Sequence, residues 1–272
     1  MPRIFYPIRE VHHVRKRATH LNSVPMKIVA VDIAYFYDAF REQAEQLLEQ
    51  WRCQPAGSPG ENPARLVNAM GDLCAVLRRI EGGEMEAPGE AAPRDAEVEV
   101  LGNYGLQLLV DLSELAAELN MEDCSRELEN LCLPMAAWVA RQGGEIQLLA
   151  PVVNALAWYA NQTTSPQMML ELYNLATQVS EAVNPHLIDS NPADPTHPWR
   201  LLVINRAIVA TRTLEPTVME PALKAVVEYL PQDASRFFEE GMQQMDKIGY
   251  PERIREVMSR YHALFDEGRT LH

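Results

Sequence analysis

Residues 165–183 read Ser-Pro-Gln-Met-Met-Leu-Glu-Leu-Tyr-Asn-Leu-Ala-Thr-Gln-Val-Ser-Glu-Ala-Val, and this stretch decides the fold class. Its apolar residues Met168, Met169, Leu172, Leu175, Ala176, Val179 and Val183 recur at steps of three and four. That is the period of one face of an α-helix. Pro166 stands at the opening, where the missing N–H of proline would be unpaired in any case.

The same punctuation recurs in both directions. Asn62-Pro63, His197-Pro198, Glu215-Pro216, Leu230-Pro231 and Tyr250-Pro251 each put proline where a helix should start. Gly82, Gly143, Gly249 and Gly268 sit where helices should end, able to take the left-handed cap conformation. The spacing predicts helices near 30–51, 63–81, 98–119, 121–141, 145–161, 165–183, 198–213, 216–230, 232–248 and 251–267. No alternating run is bounded by hairpin turns. The strand-like stretch Ile28 to Ile33 runs straight into Tyr35-Phe36-Tyr37-Asp38-Ala39-Phe40 and reads as the start of the first helix. The expected fold is all-α, about ten helices in stacked pairs or an irregular bundle.

Two stretches read as loops. Residues 82–96, GGEMEAPGEAAPRDA, are small, acidic and rich in proline and glycine, the composition of a flexible linker. Residues 184–197, NPHLIDSNPADPTH, hold three prolines and two asparagines and read as non-helical. The chain then divides into a basic arm over 1–25, a helical portion over 26–81, the linker, and a helical-repeat domain over 97–272.

An internal regularity supports the repeat. Asn103, Asn154 and Asn205 lie 51 residues apart, each near the start of a predicted helix. At the same offset Ser165 matches Pro216, Leu172 matches Leu223, Leu175 matches Val226 and Val179 matches Leu230. Segments 148–198 and 199–249 therefore read as copies of one helix pair, with 97–147 a poorer third. Repeated pairs bury their apolar faces on one another. Segments 148–183 and 237–266 resemble tetratricopeptide-type helical hairpins, and Phe238, Met242, Gly249, Met258 and Tyr261 fall where that motif places packing residues. No Trp-x-x-Leu-Gly opens either unit, and Met or Ile replaces the usual small residue of the second helix. The resemblance implies a partner-binding scaffold.

Charge narrows the function. The 272 residues carry 24 Lys and Arg against 38 Asp and Glu, a net of −14. Such a chain repels phosphate backbones, which disfavours general nucleic-acid binding. The exception is the arm: Arg3, Arg9, Arg15, Lys16 and Arg17 oppose Glu10 alone, so 1–25 is +4 and the rest −18. With His12, His13 and His20 it reads as a tail for nucleic acid or an anionic membrane, a disordered terminus, or an extension upstream of a natural start at Met26. No apolar targeting region is present, and the longest apolar run, Leu131 to Ala140, contains Pro134 and is half of what a bilayer requires. Cys53, Cys74, Cys124 and Cys132 form no C-x-x-C pair and read as reduced thiols on buried helix faces. A cytoplasmic location is expected.

Two groups of residues are candidates for function. In the predicted helix 145–161, Leu148, Leu149, Val152, Val153, Leu156, Trp158 and Tyr159 surround a narrow stripe of Gln147, Asn154 and Asn161, seven residues apart. These amides either line a groove, with Trp158 as an anchor, or pair with neighbouring helices. In 184–197, His186-x-x-Asp189 and Asp194-x-x-His197 place two imidazoles beside two carboxylates, suited to a divalent metal or an acid/base pair. The competing reading is local turns and a helix start at His197-Pro198-Trp199. The late methionines Met168, Met169, Met219, Met242, Met245 and Met258 read as core, or as an adaptable binding surface. No phosphate-binding, dinucleotide, serine-elbow or zincin motif appears. The expectation is a scaffold without catalysis, cofactor or metal, binding a protein or peptide through Asn154, Trp158, Asn161 and Asn205. The alternative is a metal-dependent or small-molecule enzyme using the 184–197 loop.

Overall fold

A computed structural model describes residues 31–54, 62–82, 95–189 and 194–269. Among them the elements are helices: α1 (Ile33–Arg52), α2 (Ala64–Glu81), α3 (Asp95–Glu118), α4 (Glu122–Asn130), α5 (Cys132–Arg141), α6 (Ala150–Gln162), α7 (Pro166–Glu181), α8 (Pro185–Asp189), α9 (Pro198–Arg212), α10 (Pro216–Tyr229), α11 (Pro231–Ile248) and α12 (Glu252–Arg269). The described residues contain no strand, only one parallel bridge between Ile146 and Val183. The fold is all-α, as the spacing predicts. No helix among the described residues is long and apolar enough to cross a membrane. The chain divides into two compact units, one of 27–159 with 178–187, the other including 160–177 and 188–272.

In the first unit, α1 begins at Asp32, whose carboxylate accepts from the amides of Ala34 (2.8 Å) and Tyr35 (3.2 Å). That cap sets the start at Ile33 rather than near residue 30. Ile33, Phe36, Phe40, Ala44 and Leu47 face inward along one stripe. Cys53 lies just past this stripe and is exposed, contrary to its expected burial, whereas Cys74, Cys124 and Cys132 are buried. The packing of α2 on α3 puts the helices on either side of 82–96 in the same unit.

The predicted helix 121–141 is two helices. They break at Leu131, and Pro134 occupies the first turn of α5, where it needs no donor. Every residue from Leu131 to Val139 is buried, so α5 is surrounded by protein. Gly102 of α3 permits this, because a Cβ there would overlap the Val139 side chain. The predicted helix 145–161 likewise starts late, at Ala150. Residues before it are extended: the Ile146 amide donates to Ala182 O (2.7 Å) and Ile146 O accepts from the Asn184 amide (3.1 Å). The 184–197 stretch is not wholly a loop. Its first proline opens the one-turn helix α8, where the Asn184 side chain accepts from the His186 amide at 3.0 Å.

In the second unit, α9 is buried nearly all round, with Trp199, Leu202, Val203, Ile204, Ala207, Val209 and Ala210 facing neighbours. Two of its arginines turn inward because they find partners. Arg200 forms a fork with Asp233 of α11 (2.8 and 2.7 Å) and donates to Pro195 O (3.0 Å). Arg212 donates to the carbonyls of Ala160 and Thr163, each at 2.6 Å. α9 packs on α10, and α11 on α12 across Gly249, whose φ of 78° is the left-handed cap expected there.

Candidate partner-binding faces

On α6, Pro151, Val152, Val153, Ala155, Leu156 and Tyr159 are buried, leaving Ala150, Asn154, Ala157 and Trp158 on the open side. Asn154 is exposed, and its amide donates to the Glu129 carboxylate of α4 at 2.9 Å. Trp158, one turn on, is half-buried and stands edge-on to Tyr159, ring centres 5.2 Å apart. Burial pushes the Tyr159 phenol well up, and nearby Glu127 adds to the shift. The exposed Glu127 carboxyl is itself raised, first by partial desolvation, with Asp123 and Glu42 adding repulsion and Asn130 and Arg126 opposing.

On α9, Leu201, Asn205, Ile208 and Arg212 are half-buried at successive turns, while Leu202 to Ile204, Ala207 and Val209 to Thr211 are buried. Fifty-one residues earlier stand Ala150, Asn154, Ala157 and Asn161, each exposed or half-buried. Both helices thus leave a stripe half-open with an asparagine at the same place on it, although on α9 Arg206 is also half-buried and Arg212, at the end of the stripe, turns its guanidinium onto the Ala160 and Thr163 carbonyls. The following helices match at 50 residues rather than 51, since Pro166 and Pro216 each open their helix, so the pairing of Ser165 with Pro216, Leu172 with Leu223, Leu175 with Val226 and Val179 with Leu230 is one residue out of register. Met169 and Met219, Tyr173 and Leu223, and Ala176 and Val226 are then the buried equivalents.

The candidate residues divide between units: Asn154 and Trp158 in the first, Asn161 and Asn205 in the second. Asn161 is half-buried. Gln147 is not on the helical stripe, because it precedes α6 in extended chain. There its amide donates to Asn103 Oδ1 at 2.8 Å. Asn103 Nδ2 donates to Glu145 O and to Glu99 O, each at 2.8 Å. This third asparagine of the series therefore holds the chain's own backbone.

The 184–197 residues are placed as follows. His186 is exposed and belongs to the first unit; Asp194 and His197 belong to the second. The Asp189 side chain lies outside the described residues. Asp194 accepts from the amide and the hydroxyl of Thr196, both at 2.8 Å, and these bonds hold its carboxyl below the usual range. His197 is the N-cap residue of α9, and Trp199 beyond it is buried edge-on to Tyr229, ring centres 5.3 Å apart. Among the described residues no group of three or more His, Cys, Asp or Glu side chains is disposed to hold a metal. Of the late methionines, Met169, Met219, Met245 and Met258 are buried, which places them in the core.

Sequence reasoning missed Glu129 and Arg212. Glu129 carries no motif, and Arg212 is one of three arginines on α9 with nothing in the sequence to mark it out. The basic arm and most of the 82–96 stretch lie outside the described residues. The chain matches no family model, no curated protein and no solved structure.

Proposed function

We propose that this chain is a non-catalytic scaffold that binds another protein or peptide through the open stripes of its helix pairs, which we take as repeats akin to tetratricopeptide hairpins. The observation that carries the reading is the exposure pattern shared by α6 and α9: each leaves a stripe half-open and presents Asn154 or Asn205 at the same place on it, Arg206 being the one further half-open position in the middle of α9. A helix otherwise enclosed by protein, yet half-open along one stripe, offers apolar area beside amide donors and acceptors. That combination suits a polypeptide ligand. Three unpaired buried thiols fit a reducing compartment, so we place the protein in the cytoplasm.

The test is site-specific photo-crosslinking in cells, with the reactive side chain at Trp158 or at Leu201 and a control at Glu45 on the exposed side of α1. A discrete adduct from the first two positions, absent from the third and weakened by Asn154→Ala or Asn205→Ala, is expected. Equal capture from all three positions, or none, overturns the proposal.

A further inference from the structure

We draw no further inference here: the strongest candidate, the cleft of 340 Å³ between the Arg141–Glu145 turn and the Gln178–Glu181 end of α7 with Ala182 beyond it, carries nothing because nothing in the structure shows what covers it.

Discussion

The carboxamide of Asn103 donates to the carbonyl of Glu145 while accepting from the amide of Gln147, both at 2.8 Å. One side chain on α3 thereby pairs with the extended chain ahead of α6 as a neighbouring strand would. The opposite edge of that chain is held by the main chain of 182–184 through Ile146. Asn103→Ala leaves the part-buried carbonyl of Glu145 without its partner, while the exposed Gln147 amide turns to water. The expected loss is about 1 kcal/mol of stability, read from urea denaturation. A loss under a few tenths of a kcal/mol would mean that water replaces the carboxamide.

Asn103 also shows where sequence reasoning stops. A spacing of 51 residues marks three asparagines as equivalent, but it says nothing of what each amide meets. One holds backbone, one meets Glu129, and one lies half-buried on the α9 stripe. The helices themselves were legible, because Pro166, Pro198, Pro216 and Pro231 open four of them and Gly249 closes one. What misled was apolarity without direction. Leu131 to Ala140 and Glu145 to Leu149 are apolar enough for continuous helix, yet Pro134 and Pro151 reset the start of each. The inward turn of Arg200 was hidden for a related reason: its partner, Asp233, is supplied by a helix two elements later.

That ion pair gives a sharp test. Arg200 is 6% exposed and Asp233 is more open. Asp233→Ala strands a buried guanidinium and should cost about 3 kcal/mol. Replacing both residues with leucine should recover much of the loss, since the uncompensated charge is then gone. A double variant no more stable than Asp233→Ala would show that the pair contributes through geometry rather than charge.

Close packing of α3 on α5 predicts a second sensitive position. A methyl group at Gly102 meets Val139, itself fully buried. Gly102→Ala should lower stability by about 1–3 kcal/mol, the usual range for an overpacked core. Adding Val139→Ala opens space at that contact. The coupling between the two changes, measured by a double-mutant cycle, should therefore be favourable.

Glu127 makes stability depend on pH. Glu127 is exposed, yet partial desolvation of its carboxyl, with Asp123 and Glu42 adding repulsion, holds its pKa above the usual range in the folded chain, an effect that solvent keeps small. Folding therefore favours the protonated form. The stability this gives is fully present below the unfolded-state pKa and is lost as pH rises through the higher folded value. At neutral pH the ionised group is a small net cost, since solvent screens an exposed carboxylate. Glu127→Gln should melt above the parent at about pH 7, with the difference shrinking towards about pH 4. Equal melting temperatures at both pH values would place Glu127 in effectively bulk solvent.

The asparagines of the open stripes should behave unlike Asn103. Asn154 is exposed, and among the described residues its amide donates to the Glu129 carboxylate. Removing the amide leaves nothing buried without a partner, so Asn154→Ala should change stability by no more than about 0.5 kcal/mol. Asn205 is half-buried between Leu201 and Ile208, and the same argument applies wherever water reaches its carboxamide. If each amide contacts a partner, its loss should weaken binding by about 0.5–1.5 kcal/mol, roughly a twofold to twelvefold rise in Kd. Stability and affinity thus separate the two roles of one residue type. Asn103 should move the denaturation midpoint and Asn154 the affinity. A denaturation midpoint that falls as far for Asn154→Ala as for Asn103→Ala would make Asn154 a structural residue and remove α6 from the proposed binding face.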